Sequence, residues 1–387
     1  VRRHLRYLSL LLISAALRTA WVVYDGITIG PDTANFLSSC QYWLGNPAGI
    51  FGIEAIAGIE YAGATLPMCL IVEGAGLGYS GFVAYQVLLS SASTVLLYDT
   101  CRREWDSELA GLVAGIVFAG FWPTFQWVNW ILTDVSFIFV LTVGLWSLTR
   151  YRTAENPTLY DRILVVGAAI AIGFTRPVGL LVAVGWLLWV SLGEESVRVF
   201  GYPLTGIGSA VVVVVTYITL SSRDEFSAQL LGVWRNGVLV LDDPTFSYEY
   251  VHTPASTVFQ FILRNPLELI IMGVLKTGLL FLPFVGRFSG LHKVINLTVL
   301  VPPMLLSIMA LVRLIKGKDT ERLMTWGWPA VAMTALIAAT FWDFDWRYRA
   351  PYGPIFIGLS AMFVPRFRKW AADKYPGARE YLQKANL

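Results

Sequence analysis

The sequence predicts an all-α protein, a polytopic transmembrane helical bundle of about ten spans. Three observations carry this. Of 387 residues, 56% are hydrophobic and only 14% charged, against roughly 25% charged in soluble domains. A soluble core of this size could not hide so much apolar surface. Apolar runs recur near the ~20 residues that a membrane helix needs. Basic residues fall asymmetrically between those runs. The composition also excludes a disordered, collagenous or disulfide-scaffold chain. A formal net charge of +3 is too small to suggest a nucleic-acid binder.

Taken in order, the expected spans lie near residues 5–24, 82–98, 109–121, 134–148, 163–174, 180–192, 204–220, 294–312, 324–341 and 351–364. Several are short for a full crossing. Residues 64–72 are apolar but too short, which suggests a re-entrant or interfacial piece. Residues 259–284 are long enough to cross but carry Arg264, Pro266, Glu268, Lys276 and Pro283. Charge decides between their alternatives. With the N-terminus inside and 259–284 lying on the outer surface, 19 of the 29 Lys and Arg residues fall on the inner side, as the positive-inside rule requires. If 259–284 crossed, the basic tail at 365–387 would lie outside. Both termini are therefore expected in the cytoplasm. The first span is too long for a typical signal-peptide core, and no small-residue cleavage site follows it. Trp and Tyr gather at span ends, as in an interfacial belt.

The chain reads as one transmembrane domain over 1–387, with outer loops at 25–64 and 221–293. The first loop is expected to hold amphipathic helices on the outer face, and the later one an interfacial helix. In the first, after Pro31, the spacing Asp32, Phe36, Cys40, Trp43 places Asp32 as an N-cap or first-turn acid of a surface helix. It is either a simple cap or a carboxylate base at the membrane boundary. Asp25 is a secondary candidate. The 122–133 loop ends at Asp134. The segment 342–351, WDFDWRYRAP, is the most charged outer piece beside a span. Its Arg347 and Arg349 flank Tyr348 and could clamp a lipid-linked phosphate. They could equally snorkel, or pair with Asp343 and Asp345. Arg18 in the first span and Arg176 in FTRPVG are costly membrane charges that tend to face a bundle interior or a wet cavity, or else snorkel outward from the outer ends of their spans.

Other motifs carry little. Gly76, Gly78 and Gly81 form a GxGxxG with no strand before it, so an outer turn is expected. DFD at Asp343–Asp345 resembles a metal-binding DxD only weakly. His4, His252 and His292 are scattered, and no Walker A sequence occurs. The sequon at Asn296 falls in a span. Cys40 and Cys69 both fall outside and could pair, although their spacing alone does not favour it.

The ordered elements are an Arg in the first span, PDTANFLSSCQYWLGN, FQWVNWILTDVSFIFVLTVGLWSLTRY, IGFTRPVGLL and RYRAPYGPIF. In this order the chain resembles the GT-C superfamily of integral membrane glycosyltransferases, in the branch of protein O-mannosyltransferases and aminoarabinose transferases. The resemblance covers most of the chain and rests on short, degenerate motifs. It implies a polyprenyl-phosphate-linked sugar donor and catalysis on the outer face. The acceptor would be a glycan, a lipid or a protein of the cell envelope. Asp32 matches the family's essential first-loop acid, with Thr33 where many members carry a second acid. Asp134 matches the acid opening the fourth span. Arg347, Tyr348 and Pro351 match the element that meets the lipid phosphate, with Arg349, Arg176 and Arg18 as further contacts. No metal or other cofactor is required if arginines neutralise the leaving phosphate, although a divalent ion is compatible. The rivals are a secondary transporter, which would place charges mid-membrane in pseudo-symmetric halves, and a flippase or ligase of lipid-linked glycans.

Overall fold

The computed structural model describes residues 2–45, 59–192, 224–240, 246–284, 289–340 and 347–374. All regular structure among them is helical, and the only strand-like features are two isolated bridges, Thr28 with Trp130 and Val238 with Ser247. The expected span at 204–220 lies outside the described residues, as do Asp343 and Asp345.

Helix α1 (Arg2–Asp25) is the first expected span. It ends where Gly26 adopts φ +78° and its N–H returns to the Val22 carbonyl at 2.9 Å, a left-handed stop that suits glycine. Helix α2 (Pro31–Gly45) opens with proline at its first position and Asp32 in its first turn. Helix α3 (Ala62–Cys69) continues as one wide turn to Gly74. Cys40 and Cys69 are disulfide-bonded and so join α2 to α3. The pairing that spacing left unfavoured is made because the two helices pack side by side, which no sequence separation reveals.

The long α4 (Gly78–Glu104) is the central post, packed against α1, α5 (Glu108–Ala119) and α7 (Asp134–Thr153). Between α5 and α7 the chain bends by 53° into the short α6 (Trp122–Phe125). Helices α8 (Leu159–Gly173) and α9 (Pro177–Leu192) complete the first layer. Then come α10 (Asp224–Arg235), α11 (Val258–Arg264) and α12 (Pro266–Phe281), the last two at 97° to each other. The long α13 (Gly290–Lys316), α14 (Trp328–Ala339), α15 (Tyr352–Ser360) and α16 (Val364–Lys374) close the bundle.

Among the described residues α1, α4 and α13 are long and apolar enough to cross a membrane, and up to five spans result if each bent pair counts as one. The ten expected spans are thus met only in part. At 1.5 Å per residue the other helices, apart from the 20-residue α7, fall short of a ~30 Å hydrocarbon core. Many of them break at Gly or Pro residues or at wide turns rather than running on.

The two ends of the bundle differ in chemistry. At one end Arg6 pairs with Glu108 at 2.6 Å, Asp99 binds Arg102 and Arg103 at 2.7 and 2.6 Å, and Arg150 meets Asp161 at 2.7 Å. Glu104, fully buried, takes Arg152, and Arg322 at 2.6 Å. Six of the residues predicted as an inner basic set, Arg6, Arg102, Arg103, Arg150, Arg152 and Arg322, are thus bound to acids, Arg102 and Arg103 within their own helix and the others across to another segment. At the opposite end lie the disulfide, the loops after α1 and α6, and the residues described next.

Candidate functional site

Two loops build the site. Thr28 bridges Trp130 in parallel register: the Thr28 N–H donates to the Asn129 carbonyl at 2.9 Å, and the Ile131 N–H to the Thr28 carbonyl at 3.1 Å. The Thr33 hydroxyl donates to the Ile131 carbonyl at 2.8 Å and accepts from the Gly30 N–H at 2.9 Å. Gln86 on α4 donates to the Trp130 carbonyl at 2.7 Å. Asn129 donates to the Asp25 carboxylate at 2.8 Å and to the Gly26 carbonyl at 2.7 Å, and accepts from the Trp21 indole at 3.2 Å. These bonds satisfy buried backbone groups that would otherwise be costly. They also bring the starts of α2 and α7 together, with one acid in each first turn.

Arg347 spans those two acids. Its Nη1 donates to Asp32 Oδ2, and its Nε to Asp134 Oδ2 at 2.9 Å. Arg176, in the break between α8 and α9, donates to the other oxygen of Asp134 and stacks over the Tyr348 ring at 5.4 Å. Four residues from separate loops thus form one chain of alternating charge: Asp32, Arg347, Asp134, Arg176. Asp134 is fully buried and both arginines nearly so, whereas the Asp32 side chain is 42% exposed. The cluster therefore meets solvent chiefly through Asp32. Its Oδ1 takes no hydrogen bond among the described residues. Burial alone would lower the pKa of Arg347, but the charges of Asp134 and Asp32 outweigh it and hold it above the usual arginine range.

Tyr61, not singled out by the sequence, sits at the entry to α3 beside this cluster. Its ring packs on Phe36 of α2 at 5.6 Å. Burial pushes its phenol up to about 12, and the nearby charge of Arg176 acts in the opposite direction. The phenol is thus a proton donor at neutral pH. Gly63 makes this approach close: its N–H donates to the Phe174 carbonyl at 2.8 Å, and a Cβ there would lie 2.5 Å from the Thr175 hydroxyl. Nothing in the local sequence marks Tyr61 or Gly63, because their neighbours come from α2 and the α8–α9 break.

The other candidates lie apart from the cluster. Arg18 is buried among neutral partners, donating to Ser90 at 2.6 Å and to the carbonyls of Ser14 and Ala119. Asp25 is exposed and braces Asn129. Arg349 is buried and donates to the Leu279 carbonyl at 3.2 Å. One turn earlier on α12, the buried Lys276 amine donates to the Thr340 carbonyl. The sequence flagged Lys276 only as a charge interrupting an apolar run.

An apolar groove of about 680 Å³ runs between α12, α13, α14 and α15, lined by Val274, Thr277, Met304, Ile308, Thr334 and Tyr352 among others. Tyr352 lies five residues after Arg347, and its hydroxyl shares a 2.9 Å hydrogen bond with Thr334. Among the described residues no three His, Cys, Asp or Glu side chains gather to hold a metal ion. No protein-family model matches this chain, and no curated protein matches it.

Proposed function

We propose that the chain is an integral membrane glycosyltransferase of the GT-C type, moving a sugar from a polyprenyl-phosphate donor to an acceptor on the outer face. The observation that carries this is the convergence of Asp32, Asp134, Arg347 and Arg176. A half-exposed carboxylate there stands one guanidinium away from a buried acid–arginine pair. Such an arrangement suits a reaction in which a hydroxyl loses a proton and a phosphate departs.

In the proposed step the acceptor hydroxyl gives its proton to Asp32 as its oxygen bonds to the anomeric carbon. The anomeric bond to the phosphate oxygen breaks in the same inverting displacement, and its electron pair leaves with the polyprenyl phosphate. Arg347 offsets that charge. Because Arg347 also holds Asp32 Oδ2, an arriving phosphate competes with Asp32 for the same guanidinium, which ties donor binding to release of the base. Asp134 and Arg176 orient Arg347. The polyprenyl tail follows the apolar groove.

The accompanying topology is about ten spans with both termini cytoplasmic and the 259–284 segment on the outer side. Two observations support that orientation. The disulfide at the Asp32 end suits an oxidising compartment. The Lys276 amine of α12 donates to the Thr340 carbonyl, at the end of α14.

The test is transfer from a synthetic polyprenyl-phosphate sugar in detergent or vesicles, comparing wild type with Asp32→Asn and Arg347→Lys. Both variants should fold and lose at least about a hundredfold in turnover. Full activity in a folded Asp32→Asn would remove the base from the mechanism.

A further inference from the structure

The end of the molecule opposite Asp32 carries a second cavity, of about 580 Å³, between the last turn of α13 and the start of α16. Arg313, Arg322, Arg366 and Asp319 line it. Arg322 is already engaged, bonded to Glu104 at 2.6 Å and to Asp319 at 2.7 Å. Among the described residues Asp319 is the sole acid of the lining, and it is thereby used up. Arg313 and Arg366 form no ion pair among the described residues, and Arg313 lies 4.7 Å over the Phe363 ring. The cavity therefore keeps an excess of positive charge with unused guanidinium donors.

Its surroundings point to one source for the matching anion. Helix α16 presents Phe367 and Trp370, 65% and 49% exposed, on one face with their rings 5.4 Å apart. Arg368 and Lys369 lie between them in the same helix. On α13, Val312 and Ile315 are exposed on either side of Arg313. Aromatic and aliphatic side chains flanking a basic hollow are the pattern of an amphipathic helix lying in a headgroup layer. A free phosphate would have no use for those apolar flanks.

We infer that this cavity is a binding site for the headgroup of an anionic phospholipid, with Arg313 and Arg366 as the phosphate-binding residues and Phe367 and Trp370 seated among the acyl chains. The site rests on the membrane assignment of the chain and not on the transfer reaction. Asp32→Asn, which tests transfer, leaves it intact. Recovery of the chain from the soluble fraction without detergent would instead remove the membrane assignment itself.

The test uses full-length protein in a neutral detergent, with bound lipid counted by native mass spectrometry during titration with phosphatidylglycerol or phosphatidylcholine. Wild type should retain phosphatidylglycerol preferentially. Each arginine removed should weaken retention about fivefold, and Arg313→Gln with Arg366→Gln about thirtyfold. Lys369→Gln with Lys374→Gln should have a much smaller effect. If Arg313→Gln fails to fold, the exposed Arg366→Gln alone carries the comparison. Undiminished retention by the arginine variants overturns the site. Equal losses from the lysine and arginine pairs would show a diffuse surface charge in its place. Displacement of the lipid by millimolar inorganic phosphate would show a phosphate site with no lipid requirement.

Discussion

Asp32 and Asp134 stand at the same offset, each four residues beyond one partner of the bridged pair Thr28 and Trp130. Paired strands lie about 4.8 Å apart. Two chains leaving one parallel bridge in step therefore deliver their acids side by side. Arg347 then reaches both carboxylates, and the Thr33–Ile131 bond holds the two chains together beyond the bridge.

The two acids should respond differently to neutralisation. Asp134→Asn leaves the buried Arg176 and Arg347 facing an uncharged amide, so unfolding should be easier by about 3–5 kcal/mol. Asp32 is half-exposed, and Asp32→Asn should cost under about 1 kcal/mol. Thermal melts in one detergent would compare them. Equal melting temperatures would mean that Asp134 is not the structural anchor of the cluster.

Gly63→Ala should disturb the site from a distance. The added methyl meets the Thr175 hydroxyl at 2.5 Å and the Phe174 carbonyl at 3.3 Å, and such overpacking costs about 1–3 kcal/mol. The strain falls on the residue before Arg176. Turnover should therefore drop along with stability, and Thr175→Ser should not rescue it, since the hydroxyl remains. Normal activity and melting would show that α3 shifts freely.

The cysteines give a count that chemistry can check. Of three cysteines, Cys40 and Cys69 are paired and Cys101 is free and buried. Under denaturing conditions a maleimide should add once, and three times after reduction. With a sequence separation of 29, chain entropy assigns the bridge about 3–4 kcal/mol. Cys40→Ala with Cys69→Ala should therefore melt lower and loosen α2, which carries Asp32. Three additions without reduction would place this end in a reducing compartment.

Glu104 is the counterpart of Asp134 at the other end. Fully buried, it accepts from Arg152, Arg322 and the Thr149 hydroxyl. Glu104→Gln leaves Arg152 with only Glu321, at 3.7 Å, and Arg322 with only Asp319, at 2.7 Å, and should cost about 3 kcal/mol. Arg322→Met in the same background should recover part of that loss, as a double-mutant cycle would show. Strict additivity would mean that the pair is not coupled.

The local features of the site were legible in the sequence. Pro31 followed by Asp32, and the polar LTD before an apolar run, mark helix starts with acids in the first turn. The apolar share and the distribution of basic residues mark a membrane chain. Those signals lie within one segment and need no partner. Span lengths were less legible, because apolar content does not reveal where a helix breaks, as between α5 and α6 or α11 and α12. Tyr61, Gly63, Lys276 and the Cys40–Cys69 bond were not legible, since each is defined by a neighbour from another helix.

The sequence by itself determined the helical class, the two acids at helix starts and the scarcity of charge that makes each buried ion conspicuous. Only the tertiary structure decided which charges meet. It set Arg347 between Asp32 and Asp134 and Arg176 behind them, while Arg18 and Asp25 went to neutral or bracing roles. The physical reason is that a carboxylate and a guanidinium attract over a few ångströms of space. Residues 213 and 315 positions apart in the chain reach that range only when loops are zipped and helices packed.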